Sequence, residues 1–152
     1  MATRRWVGLV VAVAVLGGFL GACATMRGKP AEPSLYKRLG GREGIALVVD
    51  DFVANMVADD RVNARFKGMA PPAVFKLKSN LSDQICEAAG GPCSYVGRDM
   101  KTTHTGMKIT DAEWNATVDN LTKALAKRKV AAKEQQELIA LLAPMKPDIV
   151  GR

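Results

Sequence analysis

A single histidine, His104, serves the whole 152-residue chain. A zinc site built from several imidazoles is therefore excluded, and so is a metal clamped between two histidines. Aromatic residues are scarce too, at 5% of the chain, and none is interleaved with basic residues. Lys and Arg outnumber Asp and Glu by 22 to 15, a net charge of +7, but the surplus is spread out and forms no dense tract. Nucleic-acid binding is not indicated. No G-x-G-x-x-G or Walker-type loop occurs, so the chain brings no flavin- or nucleotide-binding half of its own. There is no C-x-x-C-H, and Cys86 and Cys93 lack zinc-site spacing. Strand-like alternation and internal repeats are also missing.

What is present begins with an export signal over residues 1–23. Arg4 and Arg5 precede an uncharged apolar run from Val7 to Leu20, shorter than the ~20 apolar residues that span a bilayer comfortably. A charged start, a short apolar core and small residues before a cleavage point describe a secretory leader. Leu20-Gly21-Ala22-Cys23 resembles the bacterial lipobox, which implies cleavage before Cys23 and acylation of that cysteine. Several acyl chains anchor stably, since each buried methylene contributes ~0.8 kcal/mol. The expectation is a lipoprotein held in a membrane of the cell envelope and facing the periplasm. Residues 24–33 carry Pro, Gly and mixed charge without apolar periodicity and read as a tether. Residues 34–152 are left as one domain with a modest core.

That domain is patterned for helices. From Arg42 to Ala58, Ile45, Val48, Val49, Phe52, Val53, Met56 and Val57 recur at three- and four-residue steps, with Asp50, Asp51, Asn55 and Asp59 off the stripe. A second helix opens at Pro71-Pro72. It carries Val74, Leu77, Leu81, Ile85 and Ala88 on one face and stops at Gly90-Gly91. Thr110-Asp111-Ala112-Glu113 reads as a capping box, followed by Trp114, Val118, Leu121 and Leu125. The last helix, Ala131 to Ala143, aligns Leu138, Leu141 and Leu142, with Met145 a turn on, and ends at Pro144 and Pro147. The fold class is all-α.

His104 has three readings on residue chemistry alone. It is an ordinary surface or core histidine, or a catalytic base, or a metal ligand. A base needs partners, and Thr102-Thr103-His104-Thr105-Gly106 supplies no Ser-His-Asp or Cys-His arrangement. As a ligand it stands alone, which suits a metal that brings its own equatorial donors, as haem iron does. Haem also demands apolar cover on both faces and cationic or hydroxyl partners for its propionates. Met100 one turn before His104 and Met107 after it offer a proximal surface. Tyr95, Arg98 and Lys101 suit propionates, and Phe52, Val53, Leu77 and Leu81 suit the opposite face. Such a stripe equally suits an ordinary core.

SLYKRLGGREGI, DDFVANMVADDRVNARF and ICEAAGGPCSYVGRDMKTTH resemble the group I truncated haemoglobins, the short bacterial and protist globins. The resemblance runs in order over nearly all of residues 34–150. It implies a two-over-two helical sandwich in which Gly40-Gly41 ends a first short helix and Gly90-Gly91 separates the distal helix from the proximal loop. Gly97-Arg98-Asp99-Met100 and His104 match the family's proximal block, which places His104 on iron. The ring's other nitrogen is then expected to donate to a backbone carbonyl near Met100. Phe66 matches the phenylalanine that packs on haem at the inter-helix corner, and Val118 adds a contact from the following helix.

Many members carry Phe-Tyr in the second helix, where the tyrosine hydroxyl holds bound oxygen. This chain reads Phe52-Val53, with Leu77 and Leu81 facing the iron and Asn80 and Gln84 as nearby polar groups. The implied function is reversible binding of O2, NO or CO by non-covalent haem b, for oxygen transport or gas sensing. The alternative is a haem enzyme, a nitric-oxide dioxygenase or a peroxidase-like or nitrite-reducing activity, which needs a separate reductase. With Cys23 taken by lipid, Cys86 and Cys93 form an even pair in a compartment that permits disulfides. Their pairing depends on whether the helix-to-loop geometry brings the α-carbons within reach.

Overall fold

The computed structural model describes residues 31–152. The leader, Cys23 and most of the tether lie outside that range. The elements are α1 (Leu35–Arg38), α2 (Gly41–Ala58), a 3-10 turn (Asn63–Arg65), α3 (Pro71–Ala88), α4 (Met100–His104), α5 (Asp111–Lys127), α6 (Ala132–Leu142) and a second 3-10 helix (Ala143–Asp148). There is no sheet among the described residues; the only extended pairing is a single bridge between Ile109 and Val150.

Helix α2 is the centre of the fold, packing on α3 along one flank and on α5 along the other, while α6 lies against α1, α3 and α5. This is the two-over-two sandwich, with α2 and α3 in one layer and α5 and α6 in the other. Ile45, Val49, Leu125 and Leu138 are almost free of solvent, and burying each such side chain contributes about 1.5–3 kcal/mol. Among the described residues, every fully buried apolar residue lies between Leu35 and Leu138. Residues 32–152 therefore form one compact unit with its own core.

A polar ladder sets the direction of α5 against α2. Asp51 meets Lys127 Nζ at 2.7 Å and Arg128 Nε at 2.6 Å. One to two turns on, Asn55 Nδ2 donates to the Asn120 carbonyl and Asn120 Nδ2 to Asp59. Further still, Arg65 reaches Glu113. Rising numbers on one side meet falling numbers on the other, so the two helices are antiparallel. Asp51 was expected off the apolar stripe and is instead buried, because the two cations at the end of α5 replace its water. The same contacts hold its carboxyl below the usual carboxylate range.

Two stripe residues depart the other way. Val57 is 52% exposed and Leu141 41%. Both sit on the flank of their stripe near a helix end, where no neighbouring element covers them. The prolines after α6 do not straighten the chain, which winds on as a 3-10 helix through Pro144 and Pro147; the φ that proline fixes suits such a turn.

Glycine matters most at two joints. Gly40 caps α2 with φ +86°, a left-handed conformation that side chains resist. At Gly91 a β-carbon would lie 2.6 Å from Cys86 Sγ and also strike the Tyr36 ring. Cys86 and Cys93 are joined by a disulfide, with α-carbons 5.8 Å apart. The side-chain-free residue between them leaves room for the bridge against α1.

Candidate functional site

Helix α4 is five residues long, too short to show in apolar periodicity, and it forms because its start is capped. The Asp99 carboxylate accepts from Thr102 N at 2.8 Å and from Thr102 Oγ1 at 2.6 Å, satisfying an otherwise orphaned amide. These bonds hold Asp99 ionised below the ordinary carboxylate range. The helix ends on His104. Its Nδ1 lies 2.8 Å from the Met100 carbonyl oxygen, one turn back. A carbonyl only accepts, so Nδ1 carries the hydrogen, and in the neutral ring Nε2 keeps its lone pair. The ring is half-buried and aimed by its own helix.

The flanks of α4 are pinned as well. Upstream, Tyr95 Oη donates to the Arg98 carbonyl at 2.7 Å. Downstream, Gly151 N donates to Ile109 O at 2.8 Å and Lys108 N to Arg152 O, so the chain's last residues brace the loop behind His104. Thr110 and Glu113 then start α5 with both bonds of the capping box in place. Arg65 ties this region to the far corner. It donates from Nε to Glu113 Oε1 and from an Nη to the Met107 carbonyl, both at 2.8 Å. The guanidinium, with the amide of Thr110, pulls the Glu113 carboxyl down to about 2. The backbone that carries Phe66, the next residue after Arg65, is thereby tied to the Met107 segment.

Across from α4 runs α3. Leu77, Leu81, Gln84 and Ala88 repeat at four- and three-residue steps and share a face. Leu77 and Leu81 are half-buried against the core. Gln84 Nε2 stands 3.4 Å from Met100 Sδ and 3.5 Å from Met145 Sδ, so the polar member of the face looks directly at α4. A groove of about 260 Å³ opens there, walled by Gln84 and Ala88 on one side and by Tyr95, Met100 and Met145 on the other.

The residues singled out from sequence are thus gathered unevenly. His104, Met100, Tyr95 and Gln84 meet around α4, while the Met107 carbonyl is held by Arg65, the neighbour of Phe66. Leu77, Leu81 and Phe66 pack onto the core cluster that holds Phe52 and Val53, which are fully buried. Val118 is half-buried on α5, and Arg98 and Lys101 are exposed beside α4. Asn80 is half-buried on α3. Two contributors escaped the sequence reading. Met145 lies beyond the last α-helix and reaches α4 only because the chain keeps winding. Asp99 carried a signal, an Asp three residues before Thr102.

The bacterial-like globin family matches residues 34–150 of the chain. The chain belongs to the bacterial-like globins. Among its relatives, the group 1 truncated hemoglobin GlbN of Mycolicibacterium paratuberculosis is 32% identical over 124 residues, 81% of this chain and 89% of that protein. The group 1 truncated hemoglobin LI410 of Chlamydomonas moewusii is 30% identical over 78% of this chain and 68% of its own. Among solved structures, truncated hemoglobin of Tetrahymena pyriformis in the Fe(III) form superposes with a TM-score of 0.74 at 25% identity, over 79% of this globin and all of that one. The 2/2 hemoglobin of Synechococcus, in the cyanomet state with covalently attached heme, gives 0.71 at 28% identity, again over 79% of this globin and all of that chain. The family is one of haem proteins that bind diatomic gases.

Proposed function

We propose that this globin binds haem b without a covalent link, with His104 as the iron ligand, and presents the opposite haem face to a diatomic gas such as O2, NO or CO. When bound, the iron supplies the place where the gas is held. The observation that carries the reading is the 2.8 Å contact from His104 Nδ1 to the Met100 carbonyl. It fixes the tautomer with Nε2 free, and a hydrogen bond from the other ring nitrogen raises the basicity of a ligating imidazole.

The rest of the donor set is compatible with a haem. Half-buried Leu77, Leu81, Phe66, Met107 and Val118 offer apolar cover, and Arg98 and Lys101 leave two cations in solvent for the propionates. With no C-x-x-C-H in the chain and both Cys86 and Cys93 spent on each other, a cysteine link to the porphyrin has no donor in the described domain. The same disulfide favours an oxidising compartment and so supports export. Together with the lipobox-like Leu20-Gly21-Ala22-Cys23, it supports a lipid-anchored globin facing the periplasm, with residues 24–33 as tether.

The test is an absorption spectrum of the purified protein in the ferric, ferrous and CO-bound states. A Soret band that shifts with CO in the wild type and is lost in His104→Ala is expected. A band of unchanged intensity and position in that variant would refute the assignment.

A further inference from the structure

The end of the domain where the chain enters is rich in cations. Within seven residues the α5–α6 corner carries Lys127, Arg128, Lys129 and Lys133. Helix α1 is tied to this corner by Arg38, which pairs with Glu134 and Glu137, and it adds Lys37. Glu32 pairs with Lys133 and Arg38, so the chain arriving from the tether is fastened here. The antiparallel ladder puts Phe66, Arg65 and the start of α5 at the opposite end.

Some of these charges are answered within the fold. Lys127 and Arg128 face Asp51, and Glu32, Glu134 and Glu137 answer Arg38 and Lys133. Lys37 and Lys129 have no acidic partner among the described residues and are exposed. Lys127 and Lys133, though paired, leave 66% and 63% of their side chains in solvent. Two uncompensated cations therefore crown the corner, and Arg27 and Lys29 lie just upstream in sequence.

We infer that this corner is the face the globin turns toward the membrane, where Lys37 and Lys129 engage anionic lipid headgroups. The inference rests on the lipid-anchor reading, which limits the separation. Nine residues lead from Cys23 to Glu32, and a fully extended chain covers at most about 3.6 Å per residue, so the corner stays within roughly 30 Å of the bilayer. A tether this short raises the effective concentration of a weak surface contact. Each cation near an anionic surface strengthens binding by about fivefold, and the attraction fades beyond the Debye length. Docking this end leaves the Phe66 and Met107 end away from the lipid.

The experiment uses residues 24–152, which carry the whole core, so that acylation plays no part. Partition is measured by sedimentation with vesicles of phosphatidylcholine alone or mixed with phosphatidylglycerol, at low and physiological salt. Binding to the mixed vesicles only, weakened by salt, is expected. Lys37→Glu with Lys129→Glu should lower it by well over tenfold. Lys67→Glu with Lys108→Glu, which changes net charge equally at the Phe66 and Met107 end, should lower it by less than threefold. Equal losses in the two doubles, or no preference for the anionic vesicles, would overturn the proposal. Mass spectrometry of the N-terminus of the exported protein tests the lipid anchor separately, so a free Cys23 thiol would sink that reading without touching the vesicle result.

Discussion

Arg65 and Glu113 meet at 2.8 Å across 48 residues of sequence, joining the corner that holds Phe66 to the first turn of α5. Through its second bond, to the Met107 carbonyl, the same guanidinium fixes the loop that follows His104. The pair is partly exposed, and such contacts contribute little to global stability, on the order of 1 kcal/mol with the backbone bond included. Its importance is local. Arg65→Met is expected to leave the fold intact and to speed haem loss, read as transfer of haem to an excess of apomyoglobin. A transfer rate equal to that of wild type would show that the clamp does not hold the proximal loop.

The same pair predicts a pH dependence. The folded Glu113 carboxyl titrates near 2, below its ordinary 4.5. A carboxyl depressed in the folded state brings stability that is full above the unfolded value and lost as pH falls through the folded one. Urea midpoints should therefore fall as pH drops from about 4.5 toward about 2, and Arg65→Met should flatten that decline. A variant that tracks wild type across the window would place the acid sensitivity elsewhere.

Removing the imidazole should be reversible. His104→Gly leaves a gap behind the Met100 carbonyl that free imidazole fits. The variant is expected to lose the Soret band of the ligated haem and to regain it on titration with imidazole. Failure of imidazole, alongside an unaltered far-ultraviolet dichroism spectrum, would count against iron ligation from this position.

Val53 lacks the hydroxyl that the family resemblance leads one to expect at this point of the second helix. A hydrogen bond to a polarised acceptor contributes ~1.5–3 kcal/mol, tenfold or more in an off-rate. Oxygen release from wild type should therefore be fast, and Val53→Tyr should slow it by about tenfold or more. Because Val53 is fully buried, the larger ring costs about 1–3 kcal/mol of stability, which a urea titration separates from the gas kinetics. Equal oxygen off-rates, measured by flash photolysis, would mean that another donor, Asn80 or Gln84, holds the ligand.

Much of this was legible in the sequence, for physical reasons that differ by residue. Thr110 and Glu113 announce a helix start because a capping box is local, and the stripe from Ile45 to Met56 announces α2 because its period is local. Asp51 misleads because its partners lie 76 and 77 residues away, beyond any window of periodicity. The contact between His104 and Met100 follows from one helical turn, so it was foreseeable once a family resemblance singled out the histidine. Gln84 meeting Met145 was not, since it depends on the chain continuing to wind past Pro144.

The disulfide closes a short loop, Cys86 and Cys93 being 7 residues apart, so its stabilisation by restricting the unfolded chain is modest, about 2–3 kcal/mol. Reductant should lower the unfolding free energy extrapolated from urea titration by that amount, moving the midpoint down, and leave the Soret band in place at low denaturant. An unshifted midpoint would mean that the reduced loop keeps its native shape unaided.

The antiparallel ladder has a temporal consequence. Asp51 closes on residues 127 and 128, and Asp59 on residue 120. A polypeptide delivered N-terminus first, from a ribosome or through a membrane pore, therefore holds α2 in waiting until five-sixths of the chain has emerged. Non-local closure of this kind is slow. On the proposed export, that delay keeps the nascent chain loose enough to thread.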